Sequence, residues 1–459
     1  MNKNQGKANI RDMTKGEPLP LIVAFGMPML VGNIFQQFYN LVDSIVVGRF
    51  VGSQALAAVG TSGPLISLLI ALAMGLTMGS GIVVSQLFGA KQNKKIKATV
   101  STTLIFQSIL AVVMTFLGLV LHKPMLEMIK VPAEIFPDAA AYMRIYFLGL
   151  FFLFTYNTFA SILRALGDSK TPLYFLILSS LINTVLDLYF VVSLKMGVVG
   201  VAWATLIAQG VSAFLCFIYA MLRIEYFRFG KGEFVFSKEI FVDILRIGIP
   251  SSLQSSVVHI GFILMQNLIN SFGALNMAAY TAASRLEGLS HLPSGNFTQA
   301  LSTFVGQNMG AGQTERVVEG RRSVVKLTSI ISIVTAAVFF ALGPKLIGIF
   351  IDGSEMEVIT RGSTFLKIYA PFLIFFSLMG SNTAVLRGSG DSLFSMICGF
   401  ADLGVRVLAA YTLAAIPQIG FWGIAMAIPI GWAASALISY LRYRSMAWID
   451  KTVSSLAHD

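Results

Sequence analysis

The chain says nearly the same thing twice, at an interval of about 222 residues, and that duplication limits its fold more than any other feature. Gly26-Met27-Pro28 returns as Gly248-Ile249-Pro250. Gln86-Leu87-Phe88-Gly89-Ala90-Lys91-Gln92 returns as Gln307-Asn308-Met309-Gly310-Ala311-Gly312-Gln313. Leu163-Arg164-Ala165-Leu166-Gly167-Asp168-Ser169 returns as Leu386-Arg387-Gly388-Ser389-Gly390-Asp391-Ser392. Gly197, Gly200, Ala202 and Ala204 return as Gly420, Gly423, Ala425 and Ala427. Four motifs keep their order and register, so one unit is written in tandem. In an apolar chain this points to a two-lobed carrier with its pathway between the lobes.

The apolarity is not in doubt. Of 459 residues, 56% are hydrophobic and 12% charged, which excludes an ordinary soluble protein. A bilayer core needs about 20 apolar residues per helix. Twelve such stretches are predicted, six per repeat: 19–45, 54–82, 98–121, 136–162, 171–194 and 198–222, then 245–270, 276–303, 324–350, 359–385, 393–416 and 420–441. Six is even, so both repeats enter the membrane in the same sense. The expected fold is an all-α integral membrane protein of two six-helix bundles, related by a pseudo-two-fold axis along the membrane normal. Its parts are a tail at 1–18, an N-lobe at 19–222, a linker at 223–244, a C-lobe at 245–441 and a tail at 442–459. The start, Met1 to Pro20, is polar and basic and is read as carrying no signal peptide, leaving the first span as the membrane address. Cys216 and Cys398 lie in apolar stretches and read as small buried hydrophobes.

Basic residues test the layout. With the amino terminus inside, 23 of the 33 Lys and Arg fall on the cytoplasmic side, 7 outside and 3 within spans. That bias supports the span count and places both termini in the cytoplasm of a multi-pass protein of the cell's inner (plasma) membrane. It also explains the net charge of +11 as a fringe beside anionic lipid, with no nucleic-acid partner required.

Charges left inside spans are costly and mark function. Asp43 comes late in the first span and Asp187 late in the fifth. Asn183 precedes Asp187 by one turn on the same face. Thr205 lies about 10–12 Å into the sixth span, and Tyr142 at similar depth in the fourth. Two carboxylates with amide and hydroxyl oxygens at one level suit a proton or a hard cation. The site is therefore expected to take a proton or a hard cation such as Na⁺, held transiently at Asp43 and Asp187. Neither a resident cofactor nor a structural metal is expected. Singly, each residue has a plainer role, as a helix-end acid, an interhelical donor or an interfacial aromatic; only the shared depth lifts the set.

The second copy did not keep these acids: Met265, Arg406 and Ala410 stand where Asp43, Asn183 and Asp187 would be. It carries Arg285, Glu287, Asp402 and Arg406 at mid-span instead. Two charges of each sign read first as a neutralised structural network, and second as giving Glu287 a proton-carrying role. Pro28 and Pro250 each interrupt the first span of a repeat and are candidate hinges. Gly75 and Gly79 form a small-xxx-small spacing for helix packing.

Together these residues resemble a known family. The paired Gly-x-Pro openings, Val42-Asp43-Ser44-Ile45, the Gln-x-x-Gly-Ala turns and the Leu-Arg-x-x-Gly-Asp-Ser turns look like those of MATE (multidrug and toxic compound extrusion) transporters, over about Lys15 to Tyr443. The resemblance implies a twelve-helix exporter that trades small amphipathic, cationic drugs for entering H⁺ or Na⁺, working as a monomer in the lipid bilayer. It also carries the amino-lobe coupling roles onto Asp43, Asn183, Asp187 and Thr205, and less directly onto Tyr142. Span 7 has no acid between Ser251 and Asn270, only His259. With Arg285-x-Glu287 in span 8, the chain looks closer to the DNA-damage-inducible branch than to the norfloxacin-exporter branch.

A lipid-linked-oligosaccharide flippase of the same superfamily is the alternative, with Arg285 and Arg406 as candidate phosphate ligands. A pump would need a phosphate-cradling Gly-x-x-x-x-Gly-Lys-[Ser/Thr] loop, and the sequence has none. An enzyme is not expected, because neither a His-Glu-x-x-His nor a Gly-x-Ser-x-Gly motif is present.

Overall fold

Backbone polar groups in lipid must be satisfied within their own segment, and the apolar runs of this chain accordingly become long helices. The computed structural model describes residues 9–351 and 353–454, and among them every regular element is helical. The first copy forms α1 (Pro18–Val46), α2 (Ser53–Gly89), α3 (Asn93–Met128), α4 (Phe136–Ala165), α5 (Lys170–Leu188) and α6 (Gly197–Arg223). The second forms α7 (Lys238–Asn270), α8 (Ala274–Gly310), α9 (Thr314–Ile347), α10 (Met356–Tyr369), α11 (Leu373–Ser389), α12 (Ser392–Ala414) and α13 (Trp422–Arg444). A 3₁₀ turn at Ala370–Phe372 separates α10 from α11; Pro371 within it has no N–H to give to a continuous helix.

Among the described residues, eleven helical runs are long and apolar enough to cross a membrane. The predicted span at 276–303 lies in α8, which is fully helical over 37 residues yet falls outside that set. Arg285, Glu287, His291 and many Ser, Thr, Asn and Gln dilute its apolarity. Much of α8 is buried against its neighbours, so most of this polarity faces protein, with Arg285 left exposed.

The duplicated motifs build duplicated turns. After α2, Ala90 N–H donates to Gln86 O and Gln92 N–H to Leu87 O, both at 3.0 Å. After α8, Ala311 N–H donates to Gln307 O at 3.1 Å and Gln313 N–H to Asn308 O at 2.8 Å. Each turn needs one left-handed residue, Lys91 (φ 58°) in the first and Gly312 (φ 70°) in the second. The turns after α4 and α11 match likewise, with Gly167 at φ 87° and Gly390 at φ 98°. Their acids have diverged. Asp168 Oδ1 accepts from the N–H groups of Lys170 and Thr171 at the start of α5, whereas Asp391 accepts from Arg442 Nε at 2.7 Å.

The chain forms two compact units. The first comprises the chain to Met13, Met27–Ile249 and the chain from Val453; the second comprises Thr14–Gly26 and Pro250–Thr452. Membership changes inside α1 one residue before Pro28, and inside α7 at Pro250. Within the first unit, the opening of α7 lies against α2 at backbone contact. A Cβ on Gly79 would stand 2.6 Å from the Ile244 carbonyl, and one on Gly248 2.9 Å from Leu76 Cα. Within the second, a Cβ on Gly26 would stand 2.9 Å from the Phe297 ring. Cys216 and Cys398 are free and buried.

Candidate functional site

The site in the first unit starts from helix period. Asn183 and Asp187 project from one face of α5 because they are one turn apart. On α6, Thr205 faces them, and Asn183 Nδ2 donates to its hydroxyl at 3.3 Å. Tyr39 of α1 reaches the same hydroxyl oxygen at 3.4 Å, and Asp43 sits one turn beyond Tyr39. α1 does not stop near residue 45; it continues as a π-helical turn over Val47–Val51. Asp43 is therefore about 12 Å from the end of its helical path, deeper than its predicted span implies. The carboxyl groups of Asp43 and Asp187 come within hydrogen-bonding reach of each other.

The pair is fully buried at Asp187 and half-buried at Asp43. Asp187 is 0% exposed and Asn183 2%. Asp43 Oδ1 and both Asp187 oxygens receive no hydrogen bond, and the Asn183 amide oxygen is also unpartnered. Tyr142 is buried within electrostatic range of both acids. Its ring lies 6.1 Å from that of Tyr146, which is hydrogen-bonded to Gln209. Among the described residues no cation pairs with Asp43 or Asp187.

Two facing carboxylates in a low dielectric repel each other strongly. Only a shared proton or a small cation relieves that repulsion. Every free atom pointing inward is an oxygen, which suits a hard ion and disfavours a soft metal.

The second unit is arranged differently. Arg406 binds Asp402 through one nitrogen, at 2.8 and 2.7 Å to its two oxygens. The guanidinium also stands 6.0 Å from the Trp432 ring and within electrostatic range of Glu287. Arg285, grouped with these residues by sequence, lies apart from them on the exposed side of α8, its guanidinium 5.8 Å from the Phe350 ring. His291, one turn from Glu287, takes a place in the cluster instead. It stacks on Phe376 at 4.2 Å and meets Trp432 edge-on at 5.4 Å. The side chain of His259 lies outside the described residues.

Sequence reasoning missed Tyr39, Tyr146, Gln209 and His291. Each is four residues from a chosen one: Asp43, Tyr142, Thr205 and Glu287. Reading one turn along each helix would have found all four.

A single family model, MatE, matches this chain twice, at residues 28–189 and 250–412. The chain belongs to the MatE family. The two matched segments are the two copies seen in the sequence and each begins at a candidate hinge proline. This MatE protein is 30% identical to the probable multidrug resistance protein YoeA of Bacillus subtilis (strain 168), over 94% of both chains. It is 25% identical to the probable multidrug resistance protein NorM of Thermotoga maritima, over 88% of this chain and 87% of that one. Its fold matches the crystal structure of a MATE in complex with MaL6, with TM-score 0.89 and 27% identity over 97% of this chain and 98% of the other.

Proposed function

We propose that this MatE protein is a multidrug exporter that moves amphipathic organic cations out of the cell in exchange for an entering H⁺ or Na⁺, by alternating access. One observation carries the ion half of this reading: Asp43 and Asp187 face each other, with no donor on either Asp187 oxygen. The drug half rests on family membership and on the multidrug resistance named for YoeA and NorM.

An ion arriving from outside removes the repulsion between α1 and α5 and lets them draw together. Loss of the ion restores the repulsion. An arrangement that favours the ion disfavours the drug, and by linkage the drug favours ion release to the same extent. Pro28 and Pro250 supply the bending points, each beside a change of unit inside one helix. α8 serves as the twelfth span, most of its polar residues shielded by protein, and both termini stay in the cytoplasm. Within the family, a position nearer the DNA-damage-inducible branch is part of this reading, supported by the acid-free stretch Ser251 to Asn270 and by Arg285-x-Glu287.

The test is ethidium efflux from everted vesicles carrying Asp43→Asn or Asp187→Asn at matched expression, with pH and Na⁺ gradients imposed separately in proteoliposomes. Each variant should lose gradient-driven efflux by at least about tenfold, the equivalent of about 1.4 kcal/mol of coupling. Full coupling in both variants would overturn the assignment.

A further inference from the structure

We infer that the first unit holds a second ligand site, for uncharged aromatic amphiphiles bearing an amide, entered from the bilayer. It shares no residue with the acid pair and goes beyond the exchange reading above. A cavity of about 560 Å³ is enclosed by α3, α4, α6 and the segment following α6. That size falls in the range of about 300–1,000 Å³ that takes a drug-sized molecule. Its walls are largely rings: Phe151, Phe152 and Phe159 from α4, Phe214 and Phe217 from α6, and further Phe from the segment beyond. The rim opens away from the unit, with Phe214 62% exposed on a spanning helix.

One polar group is unaccounted for. Gln107 of α3 lines the cavity, is 3% exposed, and has neither its amide nitrogen nor its oxygen hydrogen-bonded. The adjacent hydroxyls do not give it a hydrogen. Thr155 donates to the Phe151 carbonyl at 2.7 Å and Thr158 to the Phe154 carbonyl at 2.8 Å. An acyl chain filling the space would leave the amide unsatisfied, which is costly when buried. A ligand amide offers one donor and one acceptor, and pairs with both ends of Gln107. No charged side chain lines the cavity, so a charged ligand would be stripped of water with nothing to compensate it. The rings favour an aromatic body over a straight chain.

The probe is N-propyl-4-benzoylbenzamide, a neutral aromatic amide that crosslinks on illumination, applied to the protein in phosphatidylcholine nanodiscs. Saturable labelling should map to peptides of α4 and α6 that carry the cavity Phe residues. An excess of N-propylbenzamide should displace it, and hexadecane should not. Gln107→Leu should weaken labelling at low probe by about tenfold, for two lost hydrogen bonds. Gly210→Leu should abolish it. A Cβ at Gly210 meets the Phe152 ring at 3.7 Å, ordinary contact, so the new side chain fills the cavity without breaking the helix packing. Asp187→Asn should label like the wild type, which separates this site from the coupling acids. Labelling that does not saturate, that hexadecane displaces, or that survives unchanged in folded Gln107→Leu protein would overturn the proposal and leave a cavity filled by lipid chains alone.

Discussion

Asn183 on α5 and Thr205 on α6 are joined side chain to side chain at 3.3 Å, and Tyr39 on α1 reaches the same hydroxyl. One oxygen thus links three helices beside the acid pair. Thr205→Val keeps the shape and removes that oxygen. An interhelical hydrogen bond in a membrane contributes about 0.6 kcal/mol, up to about 1.7. Thr205→Val should therefore cost about 1 kcal/mol in stability and lower exchange activity severalfold, while Thr205→Ser restores both. Melting of the purified protein and vesicle efflux measure the two effects; unchanged efflux in Thr205→Val would remove Thr205 from the site.

The Asp402–Arg406 pair should behave as a structural ion pair. Removing one partner of a buried pair costs about 3–5 kcal/mol, because the other charge is stranded, whereas replacing both with apolar side chains is often neutral. Both residues are largely but not fully buried, so the low end is expected. Asp402→Leu should unfold at markedly lower temperature, and Asp402→Leu/Arg406→Met should recover most of the loss. If the double variant is as unstable as the single, the pairing account is wrong. Gly431→Ala should act like the single change, since a Cβ there would stand 2.5 Å from Asp402 Oδ1.

The turn after α2 carries an avoidable strain. Lys91 adopts φ 58° where the second copy uses Gly312. A side chain in the left-handed region costs roughly 1–2 kcal/mol. Lys91→Gly should raise stability by up to about 1 kcal/mol, part of the gain being offset by the greater chain freedom of glycine when unfolded. Gly312→Lys should lower stability by a similar amount. Equal melting temperatures for wild type and Lys91→Gly would count against this.

Gly79 and Gly248 should tolerate no side chain. With backbone atoms at 2.6–2.9 Å from the positions of their missing Cβ atoms, Gly79→Ala forces α2 and the opening of α7 apart, and so does Gly248→Ala. Each should cost about 1–3 kcal/mol by overpacking, seen as reduced yield of monodisperse protein. Gly60→Ala, with open space around its Cβ position, is the control and should behave as wild type.

Outside the spans, Glu233 accepts from the Gly230 N–H and from Lys97 Nζ at 2.7 and 2.9 Å. These contacts, the backbone donor first, hold its carboxyl below the usual range. A depressed folded value means the tie is present above the ordinary carboxylate range and is lost as pH falls through the lowered value. Amide exchange in residues 230–236, corrected for intrinsic rate, should accelerate on acidification below that range. Glu233→Gln should exchange rapidly at every pH.

Much of the site was legible because helix period and depth are one-dimensional quantities. Counting along the spans put Asp43, Asp187, Asn183, Thr205 and Tyr142 at one level, and those five side chains share one buried locus. Rotation about each helix axis is set by packing and cannot be counted, which is why Tyr39 and Gln209 escaped. The same reason explains Arg285, two residues from Glu287 in sequence yet about 200° away around α8. The polarity of α8 was legible as composition, but whether lipid or protein faces it depends on its neighbours. The end of α1 was misjudged because a π-helical turn continues the helix through Gly48 and Arg49, residues that read as a boundary.

The openings of α1 and α7 each belong to the unit built mainly from the other copy. Neither copy is therefore self-sufficient. A gene cut in the stretch between α6 and α7 would yield two polypeptides, each missing a structural piece that only its counterpart carries. An ancestor consisting of one copy would have met that need only as a homodimer whose subunits traded their leading helices, which is domain swapping under two-fold symmetry. Fusion of two such genes would turn an obligation between molecules into one within a single chain. With the exchange covalently guaranteed, the copies need not remain identical. One can carry a pair of facing acids while the other does without them.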